Sequence, residues 1–228
     1  MTRSPDALML FAAGFGTRMG DLTKDRPKPL IEVAGKPLID HALEFVNELN
    51  PQHVVANLHY RADQLSAHLA PKGVLLSNEA PDILETGGGL RAALPLLVTN
   101  PVFTMNSDAI WAGPNPLTLL QSAWDSERMD ALLMCIPTSQ TIGHTGQGDF
   151  IADQDGRITR GHGLVYGGAQ ILKTDGLQAF PQKAFSLNLL WDQMLDQDRL
   201  FALEYPGRWC DVGRPEGIAL AEGLLADV

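Results

Sequence analysis

Apolar positions along this chain fall into short blocks whose spacing changes from block to block. Residues 7–12 (ALMLFA) form a continuous apolar run, too short for a helix and closed by glycine, as expected of a strand buried on both faces. Strand-like runs recur at 54–58, 74–76, 101–105, 131–136, 164–172 and 201–205. Between them, apolar residues follow helical spacing over 38–49, 61–69, 90–97, 117–126, 187–195 and 216–225. Pro37 stands at the first helical position of its segment, and Gly87 to Gly89 lead into the helix at 90. Residues 13–29 read as a loop, 138–148 as a flexible Gly-rich loop and 153–156 as a hairpin turn. Alternating strands and helices predict an α/β fold: a mostly parallel, Rossmann-like sheet covered by helices on both faces. Internal repeats and low-complexity linkers are absent, so residues 1–228 are expected to form one domain, the second half extending the sheet of the first.

Composition narrows the picture. A chain of 228 residues with 45% apolar content can build a sizeable core, and a 19% charged fraction argues against disorder. The net charge of −10 argues against a nucleic-acid face. Any polyphosphate site must therefore concentrate a few cations, and the segment from Arg18 to Lys28, with Lys24 and Arg26, carries four of the 17 basic residues. Cys135 and Cys210 are too few for a disulfide framework and too far apart for a zinc motif, so both read as small buried residues. The apolar run near the N-terminus is too short for a secretory signal, and no stretch is long enough to span a bilayer; a reducing cytoplasm is the expected location.

Two local patterns carry chemistry. Ala12-Ala13-Gly14-Phe15-Gly16-Thr17-Arg18 is a glycine loop leaving the first strand. Such a loop brings backbone N–H groups to phosphate oxygens where a Cβ would block the approach, and the planar fork of Arg18 suits phosphate. By itself it is equally a tight strand-to-loop turn; Met19 stands where a dinucleotide fingerprint has its third glycine, and no Walker loop is present. Pro27-Lys28-Pro29 sets the direction of one lysine in advance, although a lone lysine is ordinarily a solvated surface residue.

Together, FAAGFGTRM and RPKPLIEVAGKPLI resemble the signature of the sugar-phosphate nucleotidyltransferases, densely over the first forty residues. Phe11 and the Met19-Gly20-Asp21 stretch depart from the usual form. The resemblance implies the nucleotidyltransferase (GT-A-like) fold, with a nucleotide-binding half at about 1–136 and a sugar-binding half at about 137–228. It places nucleotide and sugar phosphate at Ala12, Ala13, Gly14, Gly16, Thr17, Arg18 and Lys28, and at Glu85, Thr86, Gly87 and Gly88 of the LETGGG element. Asn106, Gly148, Asp149 and Gly168 complete that set. Asp108, after Asn106-Ser107, matches a metal-binding aspartate at a strand end, where ligands bind in open α/β sheets. Asp211 of WCDVG matches a second. Without the resemblance Asp108 reads as a helix cap and Asp211 as a turn residue. Ser107 replaces the usual glycine. The Glu-Lys-Pro element that brings a lysine to the sugar phosphate is missing, residues 158–163 reading ITRGHG. With ETGGG and GxGDF present, this is similar to short N-acetylmuramate-1-phosphate uridylyltransferases. His162 stands near the missing lysine and is a weak candidate for its role; Trp191 reads as core or interface.

The implied reaction joins a nucleoside triphosphate to a sugar 1-phosphate and releases pyrophosphate. Mg²⁺ on Asp108 and Asp211 is the expected cofactor, Arg18 would face the leaving pyrophosphate and Lys28 the α-phosphate. The substrates are the expected partners, with no nucleic acid or membrane involved. UTP with N-acetylmuramate 1-phosphate is the first choice. GTP with mannose 1-phosphate, and a catalytically inactive subunit that senses sugar nucleotides, are the alternatives; an NAD-binding dehydrogenase is a distant third.

Overall fold

The first apolar run becomes the centre of the molecule because both of its faces are covered. In the computed structural model, which describes residues 5–227, β1 (Ala7–Phe11) sends Leu8 and Leu10 into one hydrophobic cluster and Ala7 and Met9 into another. All four are fully buried, the period-2 alternation of a strand whose sides both face the core. The strands β2 (Glu32–Val33) and β3 (Lys36–Pro37) form a small hairpin before helix α1 (Leu38–Leu49). Next come β4 (His53–Leu58), α2 (Ala62–Leu69), β5 (Leu75–Asn78), α3 (Glu85–Leu97), β6 (Val102–Asn106), β7 (Ala109–Ala112), α4 (Pro116–Ala123) and β8 (Ala131–Pro137). The remainder is β9 (Thr141–Ile142), β10 (Phe150–Ala152), β11 (Ile158–Arg160), β12 (Leu164–Leu172), α5 (Asn188–Asp196), β13 (Leu200–Glu204), β14 (Arg208–Asp211) and α6 (Glu216–Ala226).

Strands from both halves of the chain join one nine-stranded sheet. β5, β4, β1 and β6 are mutually parallel, and β12 runs antiparallel between β6 and β8. Since β13 is parallel to β8, β12 is the reversed strand among these seven. The β10–β11 hairpin attaches to the N-terminal end of β12. One face packs residues from α1, α2 and α4, the other from α3 and α5. A second, three-stranded sheet of β7, β14 and β9 closes over α6 with Met19, Ile110, Cys210 and Val212. Parallel strands ending together leave their loops at one rim, where residues 12–14, 79 and 106–108 meet.

Three local readings change. The stretch 138–148 is not all loop: Thr141 and Ile142 pair with Trp209 and Cys210. The helix expected over 117–126 ends at Ala123, since Trp124 is extended; its start is capped by the Asn115 side chain, which accepts from Leu117 N at 2.9 Å. Helix α3 begins at Glu85, so Gly87, Gly88 and Gly89 lie inside it rather than before it. Helix propensity opposes three glycines there; packing requires them. Gly87 N and Gly88 N donate to Phe185 O at 2.8 and 3.1 Å, so the segment around Phe185 supplies the partners that a helix start lacks. A Cβ on Gly88 would collide with Lys183 O, and one on Gly89 with the Glu79 carboxylate.

This contrast yields a stability test. Gly88→Ala should destabilise by about 1–3 kcal/mol despite its better propensity, because backbone stands in the way. Gly223→Ala, in α6 with open space around the position, should instead stabilise by about 0.5–1 kcal/mol. Urea denaturation of both variants measures the pair; stabilisation by Gly88→Ala would refute the packing account.

Candidate active site

The rim of the parallel strands holds a cavity lined by Phe11, Ala12, Ala13, Gly14, Lys28, Pro29, Asn57, Glu79, Ile83, Glu85, Thr86, Asn106, Ser107 and Asp108. Its wall is braced by a buried polar chain. Asn57 Oδ1 accepts from Ala12 N at 2.7 Å, which holds the backbone where β1 turns into the glycine loop. Asn57 Nδ2 donates to Glu79 Oε1 at 2.6 Å, and Glu79 Oε2 accepts from Leu84 N at 2.8 Å, just before α3. Glu79 is 1% exposed and Asn57 4%, so each hydrogen bond is made away from water, where a lost partner is costly. Asn57 and Glu79 were not singled out from sequence; both stand at or just beyond strand ends, the rule that pointed to Asp108.

Opposite this wall, Lys28 Nζ lies 2.7 Å from Asp108 Oδ2, and the lysine side chain is 10% exposed. Gly16, at φ 65°, leaves room for it: a Cβ there would come within 2.9 Å of Lys28 Cβ. Asp108 follows β6, and its carbonyl accepts from Val212 N at 3.0 Å, which ties it to the turn after Asp211. Burial, and then the Asp108 charge, push the Asp211 carboxyl above the ordinary range, against the opposing pull of Lys28, Arg18 and His144. Arg18 is exposed and its guanidinium borders Gly213, which also touches the Asp211 carboxylate. Arg18, Lys28, Asp108 and Asp211 therefore share one region, but Arg18 flanks Asp211 and does not line the first cavity.

A second cavity adjoins the first across Phe11, Thr86 and Asn106. It is lined by Asp149, Arg160, Tyr166, Gln170, Ser186, Leu187, Asn188 and Trp191. Asp149 Oδ2 accepts from Tyr166 N at 2.9 Å, and Trp191 Nε1 donates to Gln170 Oε1 at 3.0 Å. Trp191 is thus both core and cavity wall. Among the remaining candidates, Gly87 and Gly88 face the segment around Phe185, and Gly148 faces Gly163 and Leu164. Gly168, at φ 98°, faces Asn106. These glycines let protein segments approach one another and line neither cavity. Thr17 and His162 are exposed and also line neither, whereas Arg160, two residues before His162, lines the second.

The model of the MobA-like NTP transferase domain matches residues 8–169. The chain is 40% identical to the N-acetylmuramate alpha-1-phosphate uridylyltransferase of Caulobacter vibrioides, over 100% of both chains. It is 30% identical to the protein of the same description from Neisseria meningitidis, over 90% of this chain and 92% of that one. A solved UDP-glucose pyrophosphorylase complexed with UDP-glucose shares the fold at 17% identity, with a TM-score of 0.78 over 97% of this chain and 98% of that one. By sequence and by fold, the chain belongs to the MobA-like NTP transferase family and is a sugar-1-phosphate nucleotidyltransferase with the GT-A-like, Rossmann-type fold.

Proposed function

We propose that this enzyme transfers uridylyl from UTP to N-acetylmuramate 1-phosphate, the nucleotide occupying the first cavity and the sugar the second. The observation that carries this reading is the pair of adjoining cavities with Lys28, Asp108, Asp211 and Arg18 grouped beside the first. The full-length likeness to a uridylyltransferase of that sugar supports the substrate pair.

A divalent cation fits the carboxylate pair. Asp108 and Asp211 are close enough for one charge to perturb the other, and no cluster of three or more His, Cys, Asp or Glu side chains suited to a metal occurs among the described residues. Two carboxylates suit Mg²⁺, which keeps phosphate oxygens and water as its other ligands. When bound there, Mg²⁺ would lower the repulsion between two anionic phosphates. The protein's own residues do the positioning. Lys28, directed by Pro27 and Pro29, holds a positive charge at the cavity floor for the α-phosphate. Arg18, flanking Asp211, offers its fork to the departing pyrophosphate. The backbone of Ala12 to Gly14, steadied by Asn57, faces the nucleotide. No protein base is needed, because a sugar phosphate with a second pKa of about 6 already presents an anionic oxygen. Both cysteines are buried free thiols, Cys210 pushed up to about 11 mainly by desolvation, which suits a reducing cytoplasm.

Three experiments test this reading. Steady-state kinetics should give a higher kcat/KM for UTP with N-acetylmuramate 1-phosphate than for GTP with mannose 1-phosphate; the reverse order would remove the substrate assignment. Asp108→Asn keeps an oxygen that can accept from Lys28 Nζ but removes the charge. Its kcat should fall by about 100-fold or more while the variant stays folded; near-normal turnover would take Asp108 out of the metal site. Asp211→Asn separates stability from function. The raised Asp211 pKa means that ionisation costs the folded state, a cost absent at low pH that grows as pH rises through the carboxylate range. In metal-free protein at pH 7 the Asn variant should therefore melt about 1–3 °C higher. At pH 3 or below the difference should vanish, and at pH 7 Mg²⁺ should stabilise only the wild type. A lower Tm for the metal-free variant at pH 7 would contradict this account.

A further inference from the structure

Arg160 is the cationic side chain of the second cavity, and nothing in the reaction chemistry above uses it. It ends β11, opposite Phe150 in the β10–β11 hairpin. Its guanidinium lies 4.9 Å from the Phe150 ring centroid and 6.0 Å from that of Trp191, both buried rings. Nε and Nη2 both donate to Asp192 Oδ1, at 3.1 and 2.6 Å. Two donors thus converge on one oxygen, and among the described residues Nη1 has no hydrogen-bond partner. Arg160 is held in place from one side and free to donate from the other.

Its position within the cavity indicates what it would meet. Lys28 and Asp108 line the first cavity and are absent from the second, whereas Arg160 lines only the second. Along β12, Gly168 lies against Asn106, and Leu164 pairs with Phe150, the residue opposite Arg160. Four residues of β12, including part of a β-bulge between Tyr166 and Gln170, separate these levels. A sugar phosphate whose phosphate sits near Lys28 would turn its far side toward Arg160. Asp149, the acidic residue on the same cavity, has Oδ2 engaged by Tyr166 N, which leaves Oδ1 to accept from a sugar hydroxyl.

From this geometry we infer that Arg160 is a specificity-determining residue that receives, through Nη1, a carboxylate carried by the sugar away from its phosphate. The inference rests on the acid-sugar reading of the second cavity given above. In that reading the lactyl ether of N-acetylmuramate supplies the carboxylate, and a neutral hexosamine phosphate has none to offer. Arg160 selects between substrates and leaves the phosphoryl chemistry alone.

The test compares three acceptors with UTP and Mg²⁺: N-acetylmuramate 1-phosphate, its lactyl methyl ester and N-acetylglucosamine 1-phosphate. In wild type, esterification should lower kcat/KM by about 10–100-fold, mainly through KM, as expected for loss of a charge-assisted hydrogen bond. Arg160→Gln should impose the same loss on the acid sugar, show little further loss with the ester and leave N-acetylglucosamine 1-phosphate within about threefold of wild type. Arg160→Lys should recover part of the acid-sugar activity through its charge. Equal losses on all three acceptors would place Arg160 on the phosphate or in the framework and overturn the inference while leaving the acid-sugar reading intact. A wild-type enzyme that prefers N-acetylglucosamine 1-phosphate would overturn both. If Arg160→Gln does not fold, the wild-type comparison of acid with ester still decides, and indifference to the ester rejects the role.

Discussion

A buried carboxylate holds the wall of the first cavity together. Where parallel strands stop, their last backbone groups lose the ladder and need other partners. Glu79 and Asn57 provide them at the rim, linking the start of the glycine loop at Ala12 to the entry of α3 at Leu84. Because both side chains are shielded from water, the bonds are strong and specific in direction. The glycine loop and the ETGGG element, more than seventy positions apart in the chain, are thereby held at fixed places on one cavity wall.

The charged side of the site is arranged in the opposite sense, for function at a cost in stability. Two aspartates share a partly buried region, and Asp211 is penalised both by burial and by its neighbour. Lys28, which pairs with Asp108, offsets the larger part of this, and Arg18 a smaller part at the outer edge of Asp211. In the proposed reading, a cation and phosphates bound there would each meet a charge already in position. The support of Arg160 follows a similar pattern in the second cavity, with a guanidinium beside Phe150 and Trp191 and paired with Asp192.

Glycine serves two different ends in this fold. Gly14 has open space around it and lines the first cavity, as a loop that faces a ligand should. Gly87, Gly88, Gly148 and Gly168 are occupied by the protein itself, against Phe185, Lys183, Gly163 and Asn106. A motif glycine is thus as easily a contact between segments as a contact with substrate, and only the neighbour tells them apart.

By itself the sequence determined the layered α/β class, the central strand, the glycine loop with its Pro-Lys-Pro partner and the reaction class. Each of these is written locally: in a hydrophobic period, in backbone freedom or in a contiguous motif. It also drew attention to Asp108 and Asp211, although their proximity is a property of the fold. Tertiary structure alone decided that α3 starts five residues early, since the partners for its first N–H groups come from Phe185. It likewise decided that Asn57 and Glu79 meet, and that Arg160 rather than His162 reaches the second cavity. These depend on strand order and on segments brought together from 22 to nearly a hundred residues away, and such hydrogen bonds leave no periodic trace in the chain.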